Sequence, residues 1–162
     1  MASGQWLVDR KGQIEKWYAI VPAMFAMVAV ATPWLFSHSP ALGFALQRGF
    51  SLVCHQQPER SFILFGGTVA VCARCLGIYF GAALGSLLRV SQHLAWRCLL
   101  ATIALNLADW IAELTGLHGN WMFARFALGL ALGMTGAMLV AANFYPRIAC
   151  TNSVAPIATN PT

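Results

Sequence analysis

Charged residues are scarce in this chain of 162 residues, since Asp, Glu, Lys and Arg together make up only 9% of it. A soluble globular domain carries about a quarter of its residues as charges. The chain is also 59% hydrophobic, and its mean hydropathy is +0.65. So few charges cannot cover a water-exposed surface, and we therefore expect most of the outer surface to face a lipid bilayer.

A basic stripe is lacking as well, although ten basic residues against five acidic ones give a net charge of +5. The basic residues stand singly between apolar runs, whereas nucleic-acid-binding faces cluster them. We therefore exclude nucleic acid as a partner and interpret these residues as anchors that flank membrane spans. The sequence also shows no serine–histidine–acid set, paired carboxylates or phosphate-binding loop, so an enzyme is not favoured.

Cysteine is too sparse for a disulfide-stapled scaffold, because the chain holds only five. Three of them, Cys54, Cys72 and Cys75, nevertheless lie close together, whereas Cys98 and Cys150 stand apart. The stretch from residue 54 to residue 81 reads CHQQPERSFILFGGTVAVCARCLGIYFG and also contains a histidine and two arginines. This concentration of polar chemistry in an apolar chain indicates a functional site.

Long apolar runs predict an all-α, polytopic membrane protein with about four transmembrane helices and a short interfacial helix. The predicted spans, each near the ~20 residues that cross a hydrocarbon core, are 17–36, 72–88, 96–112 and 121–144. They form a single membrane domain, 17–146. A polar N-terminal segment, 1–16, precedes this domain, and a tail of small and polar residues, 147–162, is predicted to be disordered.

The region between the first two spans has two further features. Residues 41–53 predict an amphipathic helix that lies in the membrane interface. Residues 62–71 are apolar but are interrupted by Gly66 and Gly67, which predicts a hairpin or re-entrant segment. On the second and fourth spans, glycines four residues apart predict close helix packing in lipid; they are Gly77, Gly81, Gly85, Gly129 and Gly133.

The orientation follows from the distribution of basic residues, because loops on the cytoplasmic side carry the excess. One side of the membrane has six of them: Arg10, Lys11, Lys16, Arg89, Arg97 and Arg147. The other side has four: Arg48, Arg60, Arg74 and Arg125. This count predicts a protein of the cytoplasmic (inner) membrane with both termini in the cytoplasm and the Cys/His loop, 54–75, facing outward.

The cysteine stretch favours a metal site at the outer membrane interface. Cys72 and Cys75 form a C-x-x-C at a helix start, so both sulfurs lie on one face. Together with Cys54 and His55 they offer a Cys3His set, which is common in tetrahedral zinc sites. We predict zinc first, although copper, or no metal, stays open because the adjacent Cys54 and His55 depart from the usual ligand spacing.

Two other interpretations of the cysteines stay open. A C-x-x-C at a helix N-terminus, with Arg74 between the cysteines, has a lowered thiol pKa and suits thiol–disulfide exchange. Outside the cytoplasm such a pair tends to be oxidised, with Cys54 as an exchange partner. Alternatively, the cysteines form a plain disulfide or simply pack as buried thiols.

Charged residues accompany the cysteines within the apolar part of the chain. Arg74 in the second span requires a counter-charge. Asp109 and Arg125 are equally far from the centre of the connection between the last two spans, which predicts an ion pair at equal depth. We expect Arg60, Arg74, Asp109 and Arg125 to support the cysteine site as a polar clamp or by orienting its ligands.

The motif C-H-Q-x-P-E-R-S-F followed by C-x-R-C-x-G-I-Y-x-G resembles the signature of a bacterial and archaeal family of small predicted membrane proteins, a domain-of-unknown-function family. The resemblance extends over roughly residues 41–133. The matching residues outside the motif are Asp109, Asn120, Arg125 and Gly129. Trp110 departs from the glycine that is usual there. The resemblance implies a small helical membrane fold with a Cys/His cluster, and it implies no activity.

These observations predict an accessory or assembly subunit of a larger membrane complex, such as a respiratory or photosynthetic one, with lipid and other membrane subunits as partners. A closed four-ligand zinc site would be structural, since it leaves no position for water. The alternatives are a membrane thiol–disulfide oxidoreductase that uses the C-x-x-C pair and a metal transporter or chaperone.

Overall fold

The structure, a computed structural model, describes residues 3–116, 119 and 121–144 of the chain, and within these ranges it describes the side chains of residues 17–143. Its helices and strands follow in the order α1 (Ser3–His38), α2 (Pro40–Phe50), a 3-10 turn (Pro58–Arg60), β1 (Ile63–Leu64), β2 (Gly67–Thr68), α3 (Ala73–Gly85), α4 (Gln92–Leu114) and α5 (Met122–Phe144). The predicted all-α membrane fold is confirmed. Residues 3–16 continue α1, and the predicted tail lies outside the described residues.

Three helices in the described part of the chain are long and apolar enough to cross a membrane: Trp17–His38, Gln92–Leu114 and Met122–Asn143. The predicted second span, 72–88, differs, because α3 contains 13 residues. At 1.5 Å per residue it is about 20 Å long, shorter than a hydrocarbon core of ~30 Å. The chain turns at Ser86 and Leu87, so the apolar run continues past the end of the helix.

Helix α2 runs antiparallel to α1 and brings the chain back along it. Gly43 packs against the Phe36 ring, and the Phe50 ring meets Phe25 edge-on with centroids 6.1 Å apart. The start of α2 therefore contacts the end of α1 near residue 36, and the end of α2 contacts α1 near residue 25. The amphipathic helix predicted at 41–53 is present, and it packs along α1.

A two-stranded antiparallel hairpin precedes α3, with Ile63 opposite Thr68 and Leu64 opposite Gly67. Its turn residues, Phe65 and Gly66, both have positive φ, which matches the twist of a tight hairpin. The hairpin predicted from the Gly-Gly interruption is confirmed.

Pro33 of α1 provides the place where this hairpin docks. Proline has no N–H, so the carbonyl of Ala29, four residues earlier, has no intrahelical donor. The backbone N–H of Ala70 donates to that carbonyl in a long hydrogen bond of 3.5 Å, and Gly67 lies against the proline ring. Ala29 is nine residues, or about 14 Å, before the end of α1. The segment that leads into α3 therefore lies well inside the bundle.

Helix α3 packs against α5 through the predicted glycines. A Cβ atom at Gly77 or Gly81 would overlap backbone carbonyls of α5, and one at Gly129 or Gly133 would overlap those of α3. The two backbones are thus in direct contact, as the spacing predicts.

Helices α4 and α5 form an antiparallel pair. The hydroxyls of Thr102 and Thr135 are 3.0 Å apart, and the Asn106 amide donates to the Leu128 carbonyl at 3.3 Å. This register places Asp109 and Arg125 at nearly the same depth, as their spacing from the connection predicts.

Candidate metal centre

Two separate segments bring the three cysteines together. Cys54 ends the turn after α2, where its N–H donates to the Phe50 carbonyl at 3.0 Å. Cys72 is the residue before the first turn of α3, and Cys75 lies in that turn. The docked hairpin closes the gap between them, with Val69, Ala70 and Val71 almost fully buried against α1.

The sulfur atoms of Cys54, Cys72 and Cys75 all lie within 4.8 Å of one another. Three sulfurs at about 2.3 Å from a tetrahedral zinc ion would be about 3.8 Å apart, a spacing that is compatible with this cluster. Cys54 is buried, and the other two are half-buried. All four described cysteines are free thiols, Cys98 being the fourth.

The surroundings of Cys54 favour its thiolate form. The thiols of Cys72 and Cys75 hydrogen-bond to its sulfur, and these bonds hold the pKa of the Cys54 thiol far below its usual range. The backbone N–H of Cys72 also donates to the sulfur at 3.3 Å, at the N-terminus of α3. A helix N-terminus stabilises negative charge. The hydrogen bonds that meet at the Cys54 sulfur therefore stabilise the thiolate, which is the form of cysteine that binds a metal ion.

His55 lies beside the sulfur cluster and is not a member of it. Its side chain is exposed, and the group of mutually close ligand atoms comprises the three sulfurs. Gln56, which follows it, adopts a positive φ of 48° and donates from its amide to the Gln47 carbonyl at 2.6 Å. This bond ties the loop to α2. His55 as the fourth ligand stays a prediction.

Three arginines and two acids surround the cysteines. Arg74 forms an ion pair with Asp109. Glu113 accepts from Arg60 at 2.6 Å and lies 2.5 Å from Arg125. All four predicted supporting residues thus lie in one polar group, although the sequence suggested Asp109 and Arg125 as partners of each other.

Glu113 also belongs to this group, and its pairing with two arginines was not predicted from the sequence. It bridges Arg60 from the loop and Arg125 from α5, so it joins these two elements to α4. A signal was available, because Glu113 follows Asp109 by four residues on α4 and so lies on the same helix face.

The cysteines and arginines share one cavity of about 310 Å³. Its lining consists of Val53, Cys54, His55, Gln56, Gln57, Arg60, Cys72, Arg74, Cys75 and Arg125. Exposed residues, His55 and Gln57, form part of this lining, so the cavity reaches the surface. A ligand that approached the sulfurs from this cavity would pass the arginine side chains.

Comparison with known proteins identifies the family. Residues 54–139 match the family described as predicted membrane protein (DUF2085). An uncharacterized protein of Methanocaldococcus jannaschii, MJ1492, is 32% identical over 117 residues, which cover 66% of this chain and 73% of that protein. An uncharacterized protein of Methanothermobacter thermautotrophicus is 35% identical over 95 residues, 56% of this chain and 86% of that protein. No solved structure matches significantly. The chain therefore belongs to the DUF2085 family of predicted membrane proteins.

Proposed function

We propose that this membrane protein binds one thiophilic metal ion, zinc in the first place, through Cys54, Cys72 and Cys75. The observation that carries the proposal is the convergence of three sulfurs from two distant segments to within 4.8 Å of one another. Cysteine thiolates are preferred ligands of zinc and of copper(I).

The electrostatic setting supports metal binding over simple packing. A cysteine must lose its proton to bind a metal ion, and the hydrogen bonds that lower the pKa of Cys54 favour this loss. Three sulfurs also leave a fourth position for His55, water or another donor. Three protein ligands with one remaining position are the arrangement of zinc sites that bind or activate a further ligand.

The test is metal content per chain, measured by elemental mass spectrometry on protein purified without chelator, with free thiols counted on the same sample. We expect about one equivalent of metal in the native protein and none in Cys72→Ser/Cys75→Ser. The matched control is Cys98→Ser, which removes a free cysteine outside the cluster and should keep the metal. Metal-free native protein with all thiols reactive would refute the proposal.

The same geometry favours thiol–disulfide exchange as a second candidate function. A thiolate at Cys54 next to two thiols can attack a disulfide, and Cys72 with Cys75 can form one. In the full exchange the two thiols lose two electrons and two protons, while a partner disulfide is reduced to two thiols. A Cys75→Ser variant would then trap a mixed disulfide, and native protein would contain fewer free thiols than cysteines.

We also keep the accessory or assembly role as part of the proposal. In its support, only 6% of the apolar window of α4 is buried inside the chain, so this helix offers a large surface to lipid or another subunit. A protein extracted from its own membranes in mild detergent should then migrate in native gels as part of a larger complex; migration alone would refute this role. A metal transporter is less well supported, because the described residues form a single three-ligand cluster rather than a path through the spans.

A further inference from the structure

We propose that the cavity above the cysteines is an oxyanion-binding site formed by Arg60, Arg74 and Arg125, for a phosphate group or a similarly small oxyanion. All three arginines line the same cavity of about 310 Å³, and no carboxylate lines it within the described part of the chain. The charges that face the cavity are therefore positive. This site rests on the arginines and does not require a metal in the cysteine cluster.

The acidic partners of the arginines leave positive charge in excess. Asp109 and Glu113 pair with the arginines without lining the cavity. Three guanidinium groups are thus paired with only two carboxylates. An oxyanion would restore the balance, and its attraction would be least screened beside Arg125, which is only 4% exposed.

Two of the arginines also have hydrogen-bond donors to spare. Arg125 is only 4% exposed, and its Nε has no hydrogen-bond partner among the described residues; the same holds for the Nε of Arg74. Buried donors in native proteins are almost always paired. Guanidinium groups present their donors as a planar fork that matches the oxygens of phosphate and carboxylate, which favours an oxyanion over chloride.

The size and position of the cavity restrict the ligand. A volume of about 310 Å³ is at the lower end of small-molecule sites, so a phosphate group with a small substituent fits better than a large cofactor. Because the cavity opens at exposed His55 and Gln57, the phosphate can come from solution or from a phospholipid headgroup. Both sources present the same chemistry to the arginines.

The test is titration calorimetry of the purified full chain in a neutral maltoside detergent with inorganic phosphate. We expect saturable binding that Arg60→Gln and Arg125→Lys each weaken by about tenfold or more, since each loses charge-assisted hydrogen bonds. Arg60→Gln is the safer variant, because that side chain is 42% exposed and its loss perturbs packing least. The control is Arg97→Gln, an exposed arginine near the opposite end of the bundle, which should bind as the native protein does.

Two further experiments test whether the anion binds to the arginines or to a metal ion, and whether it comes from solution or from a lipid headgroup. Cys72→Ser/Cys75→Ser should still bind phosphate; if it loses binding while the arginine variants retain it, the anion is a metal ligand and the arginine site is refuted. The second experiment repeats the titration in nanodiscs of phosphatidylcholine with and without phosphatidylglycerol, whose headgroups both carry a phosphate group. Phosphate binding that is present in detergent and lost in either nanodisc identifies a headgroup as the natural occupant, and binding as strong as in detergent identifies a soluble oxyanion. No phosphate binding in either medium refutes the proposal.

Discussion

The two helix pairs that share α5 are held together in different ways. Helix α3 meets α5 backbone to backbone, because residues such as Gly77 and Gly133 leave no room for a side chain. Helix α4 meets α5 through polar side chains, for example between Thr102 and Thr135. Such interhelical hydrogen bonds are worth only about 0.6 kcal/mol each in a bilayer. The cysteines of α3 therefore lie on the firmly packed side of the site, and the acids of α4 lie on the loosely packed side.

This difference gives the ion pairs a structural role on the α4 side. With so little of α4 buried, Asp109 and Glu113 connect it to α3, to α5 and to the loop. Packing fixes the position of the sulfurs, whereas charge fixes the position of the acids relative to the arginines. Disrupting the packing of α3 on α5 should therefore leave the ion pairs of α4 in place, and removing an ion pair should leave that packing in place.

The largest effect is expected from Gly77→Ala. The added methyl group would overlap the Phe126 carbonyl, so α3 and α5 must separate, and we expect a loss of about 3 kcal/mol in the free energy of unfolding. Unfolding by SDS from mixed micelles measures it. Gly136→Ala is the matched control, since a Cβ atom there meets nothing within 4 Å and stability should be unchanged or slightly raised. Equal effects of the two variants would contradict backbone contact as the cause.

Glu113→Gln should have the next largest effect. It removes the partner of Arg60 and of the buried Arg125. Leaving a buried charge without its partner typically lowers the free energy of unfolding by about 3–5 kcal/mol. Because the Glu113 side chain is 22% exposed, solvent screening reduces the expected loss to about 2 kcal/mol. Metal content should be retained.

Thr102→Val is expected to destabilise the protein by about 0.6 kcal/mol, the usual value of one interhelical hydrogen bond in lipid. Its hydroxyl is 3.0 Å from that of Thr135, and the valine is nearly isosteric. The same SDS titration applies, and the double variant with Thr135→Val should cost little more than either single one. A loss as large as that from Gly77→Ala would mean that the two helix pairs are equally tight.

The smallest effect is expected from Leu105→Ala on the exposed face of α4. The side chain is 57% exposed within the chain, so its truncation should change the free energy of unfolding by less than about 0.5 kcal/mol in detergent. The informative measurement is the native gel of membrane extracts. If Leu105→Ala no longer migrates in the larger complex but unfolds at the same SDS concentration as the native chain, this face of α4 contacts another subunit.

The sequence predicted the long helices and the shared face of Cys72 and Cys75 because both follow from local patterns, whereas the approach of Cys54 depends on the docked hairpin. Apolar runs located α1, α4 and α5, and the C-x-x-C placed Cys72 and Cys75 on one face. The length of α3 could not be predicted in this way, because the apolar run continues beyond Gly85 while the helix ends there. Glu113 as the shared partner of two arginines depends on how the loop meets α4, which is a matter of tertiary packing.

The docking of the hairpin on Pro33 has a consequence for how the protein is made. The carbonyl of Ala29 and the ring of Pro33 offer a place for Gly67 and Ala70 only once α1 is inserted and helical. Unpaired backbone is costly in hydrocarbon, so we expect the loop to enter the membrane against a preformed α1 rather than alone. The cysteines would then meet only after α3 has been synthesised. Ligand loading would thus be a late step of biogenesis, and a nascent chain halted before α3 would be unable to perform it.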